Sequence, residues 1–134
     1  MTQPSHPATQ PARAINWFEI PVTDLDRAQR CYEAVLDRPL RRESMGPQAE
    51  LAVFPYEAGA ATGGCLMKSP GLQPNPDGAR LYLNAEPSLD AAVGRAERAG
   101  LRVLVPRVDL PGDMGAFAVI VDSEGNHVGL HALR

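Results

Sequence analysis

Four polar side chains at strand-like spacing are the residues of this chain most able to do chemistry: Glu19, Arg80, Tyr82 and His131. In the run Trp17-Phe18-Glu19-Ile20-Pro21-Val22, strand alternation sends Phe18, Ile20 and Val22 to one face and Trp17, Glu19 and Pro21 to the other. If the first set packs under a helix, Glu19 projects from the open face. There it serves as a general base or polar anchor, or it is an edge or rim residue or the partner of Arg80 in a structural ion pair. Arg80 and Tyr82 alternate with Leu81 and Leu83, which places a cation and a phenol on an open face, suited to an anionic or carbonyl ligand. His131 lies two residues beyond Gly129 and shares its face, making it a second proton-transfer candidate. Glu19 and His131 together could hold a cation, but two protein ligands fall short of the three or four that zinc uses.

Other residues could line a pocket. Trp17, the sole tryptophan, either stacks on a planar ligand or packs near the N-terminal tail or a dimer seam. Met67, Met114 and Cys65 offer adaptable apolar lining. Cys65 has no histidine beside it in sequence and reads as an inert thiol. His127 reads as a turn-edge residue, solvent-facing or hydrogen-bonded, and His6 as a solvated tail residue. Pro106 to Gly115 is a lid candidate or an ordinary connection.

The elements that must position these residues repeat. Residues 1–13 carry three prolines and little that is large and apolar, so a flexible tail is expected. A strand from Ile15 leads to Thr23-Asp24, a helix start with Thr or Asp as cap. Leu25, Ala28, Tyr32, Val35 and Leu36 then recur at helical spacing until Pro39. Strands are expected over Leu40 to Glu43, Glu50 to Phe54 and Gly64 to Lys68. Residues 69–78 (SPGLQPNPDG) read as a linker between a first module over 14–68 and a second over 79–134. The second module runs Arg80 to Ala85 as strand, then a helix with Pro87 in its first turn, Leu89, Ala92, Val93 and Ala96 as its stripe and Gly100 at its stop. Strands follow over Leu101 to Val105, Ala116 to Val121 and His127 to His131. The helix starts Asp24-Leu25-Asp26-Arg27-Ala28 and Ser88-Leu89-Asp90-Ala91-Ala92 correspond, so an internal duplication is expected. A half of this size buries little alone. The two sheets should combine, with helices outside and the opposite faces lining a concavity.

Composition bounds the rest. A chain of 134 residues has room for one domain with a core that needs no disulfide staples. Cys31 and Cys65 sit inside regular segments and no leader-like segment is evident, so a reducing cytoplasm is the expected address. No apolar run approaches the ~20 residues that cross a bilayer, and a net charge of −3 argues against an electrostatic nucleic-acid partner.

The opening Trp17-Phe18-Glu19-Ile20-Pro21-Val22-Thr23-Asp24 leads into an Arg27-Ala28-x-x-x-Tyr32 helix. With the closing Asp122-Ser123-Glu124-Gly125-Asn126-His127-Val128-Gly129-Leu130, it resembles the vicinal oxygen chelate superfamily of glyoxalases, bleomycin-resistance proteins and extradiol dioxygenases. The resemblance spans Ile15 to Leu133, with Ser123 where the family commonly has proline. It implies an α+β fold of two βαβββ modules curled into an open, ligand-lining barrel, usually a homodimer. It also implies that the metal enzymes of the family take ligands at the positions of Trp17, Arg80 and Gly129 and on the strand near Gly64 to Lys68. None of those positions carries His, Asp or Glu, so no metal and no other cofactor is expected, and glyoxalase I chemistry is not. The expected function is binding or sequestration of a small polar or planar ligand by Trp17, Arg80, Tyr82, Met67 and Gly129. The alternative is metal-independent lyase or isomerase chemistry beside a carbonyl, with Glu19 or His131 as acid or base and Arg80 as oxyanion partner. The expected partners are the small molecule and a second copy of the chain.

Overall fold

The computed structural model describes residues 13–134; the expected N-terminal tail, His6 included, otherwise lies outside the described residues. Strand β1 (Trp17–Pro21), helix α1 (Leu25–Leu36) and strands β2 (Arg41–Ser44), β3 (Glu50–Val53) and β4 (Gly63–Lys68) form the first half. Strand β5 (Tyr82–Asn84), helix α2 (Leu89–Arg98) and strands β6 (Arg102–Asp109), β7 (Ala116–Val121) and β8 (His127–Ala132) form the second. The sheets have orders β1-β4-β3-β2 and β5-β8-β7-β6, which is one order twice over. In each, the first and last strands run parallel and the other pairs antiparallel. The two sheets stay separate within the chain and do not close into a barrel.

Local chemistry sets the element ends. Asp24 caps α1 by accepting the Arg27 amide, and Ser88 caps α2 by accepting that of Ala91, so Pro87 lies before the helix and not in its first turn. Asp37, at φ 56, ends α1 two residues ahead of Pro39, while Gly100, at φ 84, follows the end of α2. The β6 strand continues through Pro106 to Asp109 by shifting register twice against β7. The lid candidate therefore shrinks to residues 110–115. Strand β5 begins only at Tyr82, leaving Arg80 in the irregular segment before it. Charged residues along β2 and bulges plus Pro106 in β6 guard the two outer edges against further strand pairing.

One core joins both halves. The apolar stripes of α1 and α2 pack against the inward strand residues, and α1 meets α2 directly. Leu66, Leu89, Ile120 and Leu130 are fully buried there; truncating such a residue to Ala costs about 2–5 kcal/mol. Polar tethers cross the seam. The Arg38 guanidinium donates to the carbonyls of Asn84 and Glu86, and Arg95 Nε to that of Val35.

The strongest tether is the turn Asp122 to Asn126. Buried Asp122 accepts the Tyr32 hydroxyl at 2.6 Å, the amides of Glu124 and Asn126, and the Asn126 side-chain amide. Asn126 also donates to the Pro21 carbonyl. Burial, and then the Asp122 charge, push the Tyr32 phenol up, so it stays protonated and serves as a donor. Within this turn Gly125 adopts a positive φ, at 93°, and Asn126 does not. Asn126 contributes hydrogen bonds instead.

Candidate functional site

With the helices covering one face of each sheet, strand alternation defines the open face. Trp17, Glu19 and Pro21 of β1 lie there with Gly63, Cys65 and Met67 of β4 and Leu51 and Val53 of β3, by direct register. Leu51, Val53, Cys65 and Met67 form a buried apolar cluster separate from the main core, with Leu72 packed against it. Burial first, and the Glu19 charge second, raise the Cys65 thiol to about 11, although a hydrogen bond with Trp17 works the other way. At neutral pH Cys65 is a protonated, unreactive lining group.

At the β1 edge this face meets the second half. A cleft of about 480 Å³ opens there, lined by Trp17, Glu19, Pro21, Asn75, Leu81 and His127 among others. The Trp17 indole is 40% exposed and stands edge-on to Tyr56, with centroids 5.9 Å apart and planes at 74°. A half-exposed indole fixed by a second ring offers a planar contact surface at little further entropy cost. Glu19 is exposed and His127 half-buried, so the cleft presents one carboxylate and one imidazole beside the indole.

The other expected site residues are dispersed. Met67 belongs to the apolar floor of the first sheet. The Tyr82 ring lies flat on Gly129, where an added Cβ would meet the ring at 2.3 Å, and it contacts Phe117 edge-on at 5.4 Å. Tyr82 thus fills the space above Gly129 and borders a second cleft of about 330 Å³ at the seam, with Phe18, Phe54 and Tyr56. Arg80 is exposed and makes no ion pair with Glu19 among the described residues; β1 alone delivers its carboxylate to the cleft. His131 stands four residues along β8 from His127, about 13 Å at ordinary strand rise. Its Nε2 bonds the Met114 carbonyl at 2.7 Å and ties down the 110–115 loop. The structure brings together Trp17 and Glu19, and gives them His127 instead of His131. Strand alternation held the signal: His127, Gly129 and His131 are spaced by two, and the turn-edge reading of His127 overlooked that β8 begins at it.

Equivalent registers relate the halves. Glu19 pairs with Cys65 in the first sheet as Tyr82 pairs with Gly129 in the second, so Trp17 and Arg80 occupy equivalent places, as do Cys65 and Gly129. The family resemblance implies ligand positions at Trp17, Arg80 and Gly129 and on the strand near Gly64 to Lys68; the first three hold here an indole, a guanidinium and a glycine roofed by Tyr82, and the protonated thiol of Cys65 lies on that strand. Among the described residues no three His, Cys, Asp or Glu side chains gather in a group able to hold a metal ion. No described helix is long and apolar enough to cross a membrane.

Duplicated βαβββ halves with an open sheet face define the class, and comparison with known proteins gives the family. The model of the Glyoxalase/Bleomycin resistance protein/Dioxygenase superfamily matches residues 14–130, and the chain belongs to that superfamily. Among solved structures it is similar to glyoxalase I from Zea mays, at 22% identity and TM-score 0.68 over 88% of this chain and 45% of that one. The chain thus spans about half the length of the maize enzyme. It is also similar to a glyoxylase/bleomycin resistance protein/dioxygenase domain from Frankia sp. EAN1pec, at 21% identity and TM-score 0.66 over 92% of this chain and 100% of that one. TnmS3, an antibiotic binding protein from Streptomyces sp. CB03234, aligns at 23% identity and TM-score 0.67 over 92% and 98% of the two chains. A comparison with curated protein sequences finds no match.

Proposed function

We propose that this protein binds a small planar or polar molecule in the cleft at the β1 edge, without a metal ion and without turning it over. The observation that carries the reading is the half-exposed Trp17 indole, braced by Tyr56 on the wall of that cleft with Glu19 and His127 beside it. The indole stacks on the ligand and Glu19 anchors a donor group of it. The antibiotic-binding role of TnmS3 on the same fold supports a binding function. The side chains at the family's ligand positions support metal independence, because an indole, a guanidinium and a glycine supply no donor to a cation. We propose a homodimer, since Trp17, Tyr56, Tyr82, Val108 and Met114 leave exposed apolar surface that isologous pairing covers. Two free, buried cysteines suit the reducing cytoplasm proposed as its location.

One observation favours a second reading. Glu19 and His127 line the same cleft, so an acid and a base flank whatever enters, which suits lyase or isomerase chemistry beside a carbonyl. Titrating the sole tryptophan against a panel of planar compounds tests the binding reading. A saturable change in Trp17 emission is expected, with affinity at least fivefold weaker in Glu19→Gln at unchanged melting temperature. An unfolded Glu19→Gln variant, or full affinity in both Glu19→Gln and Trp17→Ala, would overturn it. Proton exchange beside the carbonyl in deuterated water, lost in His127→Gln, would decide for the second reading.

A further inference from the structure

The segment 69–78 does more than join the halves. Leu72 reaches from it onto the open face of the first sheet and packs on Leu51, Val53, Cys65 and Met67. These four residues are 0–8% exposed although they lie on the face turned away from the helices. A cleft of about 730 Å³ lies on one side of the segment and the 480 Å³ cleft on the other, and Gln73 lines both. The segment thus lies between the two clefts, with Leu72 and Gln73 lining the first and Gln73 and Asn75 the second.

The segment is held lightly where it crosses. Among the described residues, the single hydrogen bond made by residues 70–74 runs from the Leu72 amide to the Ser69 carbonyl, inside the segment itself. The next tether is the Asn75 amide on Asn126 Oδ1, at 2.9 Å. Between Ser69 and Asn75, Leu72 packs on the floor and Pro74 is also half-buried. A stretch with few backbone hydrogen bonds and one apolar anchor belongs to the part of a fold that opens at least cost.

Resting on the reading of this chain as a small-molecule binder, we propose that residues 69–75 form a strap and that Leu72 occupies a subsite for an apolar group. Ligand binding lifts the strap and puts a ring or branched hydrocarbon in place of the isobutyl group. The chemistry of that group follows from the occupant and the floor: Leu72 is aliphatic, and Leu51, Val53, Cys65 and Met67 present only carbon and polarisable sulfur. The polar remainder of the ligand extends to Glu19 and His127 on one side or to Lys68 on the other. Because the strap competes with the ligand, apparent affinity is reduced by the fraction of molecules with the strap down.

The test uses 1-anilinonaphthalene-8-sulfonate as probe, followed by fluorescence and calorimetry on the full chain. Leu72→Ala removes the occupant and should bind the probe about tenfold more tightly than wild type, at one site per chain. Leu72→Gln keeps the length but loses the apolar hold and should shift in the same direction. Leu72→Phe overfills the subsite and should bind no more tightly than wild type. Urea unfolding with an unchanged slope separates a bared subsite from general loosening. Equal affinities across the series, within twofold, would overturn the strap, as would non-saturating binding in Leu72→Ala with loss of cooperative unfolding. If Trp17→Ala abolishes probe binding while the Leu72 series leaves it unchanged, the strap fails and the Trp17 cleft stands. If the probe binds none of these proteins the strap also fails, and the cleft is judged by its own titration.

Discussion

Replacing Glu124 by Gln should loosen the junction between the two halves by an amount that can be worked from its contacts. The Glu124 side chain has no exposed surface, and its carboxylate accepts the amides of Thr23 and Asp24 at 2.9 Å each, Arg27 Nε at 2.8 Å and the Ser123 hydroxyl at 2.9 Å. Burial by itself pushes this carboxyl up, but Arg27, the two amides and Ser123 together outweigh it and hold the group at about 2, against an ordinary 4.5. At roughly 1.4 kcal/mol per pH unit, that depression is worth about 3 kcal/mol of preference for the folded, charged form. Gln keeps one acceptor for the helix amides and turns a donor toward Arg27. Arg27 is half exposed and regains water, so the expected loss at pH 7 is about 2–3 kcal/mol. For a chain of this size, that is ~6–12 °C in Tm.

The pH dependence carries the sharper test. A folded pKa below the unfolded one gives stability that is complete above about 4.5 and is lost as pH falls toward 2. Urea unfolding of wild type and Glu124→Gln, measured in parallel from pH 7 to pH 2.5, should therefore show a gap that is constant down to about pH 5 and closes below it. Effects of the other carboxyls cancel in the difference. A variant within 0.5 kcal/mol of wild type at pH 7, or a gap unchanged down to pH 2.5, would refute the assignment of this carboxylate as the clasp between halves.

Three glycines give a graded expectation. Gly115→Ala should cost most, at least ~3 kcal/mol, since its φ is 83° and the new Cβ would meet the Ala132 backbone carbonyl. Gly64→Ala drives a carbon into Phe18, which is wedged against Phe54, and should cost ~2–3 kcal/mol; Gly129→Ala displaces the half-exposed Tyr82 ring for about 1 kcal/mol. Chemical denaturation of the three variants checks that order. Light scattering should give twice the chain mass at micromolar concentration, and a monodisperse monomer there would remove the proposed homodimer. Elemental analysis after dialysis should find less than a tenth of a divalent ion per chain, whereas one retained ion would return Glu19 to the list of ligands.

Much of the frame is legible in the sequence because period and punctuation carry it. The stripe Leu25, Ala28, Tyr32, Val35 and Leu36 is the buried face of α1, and Ala116–Val121 is the observed β7. What misled were positions where a neighbour decides. Arg80 falls outside β5 because only three residues there pair with β8. Pro106 to Asp109 remain strand because bulges absorb the proline. For the site, alternation puts Trp17 and Glu19 on one strand face, but it cannot say which of two histidines on one strand lies beside them. That depends on where β8 passes β1, and the Asn126 bond to the Pro21 carbonyl fixes the crossing near His127. In the closing turn Asp122, Glu124 and Asn126 bind Tyr32, Arg27 and the Pro21 carbonyl about a hundred residues earlier, partners that local spacing does not reveal.

The two halves share their helix-facing chemistry and part company on the open face, and the difference decides which of them can take a ligand. In the second sheet the cover over Gly129 is Tyr82, a ring carried on the neighbouring strand and locked edge-on to Phe117. Moving it exposes a strand that is already paired, so the gain in space is one ring wide. In the first sheet the equivalent place is Cys65, part of a cluster on which Leu72 packs, and Leu72 is carried on a segment that makes no hydrogen bond to the sheet among the described residues. On the strap proposal, lifting that segment bares the apolar cluster on which Leu72 packs. Duplication gave both halves the same frame; one has closed its face with a residue of its own strand, and the other with a residue that can leave.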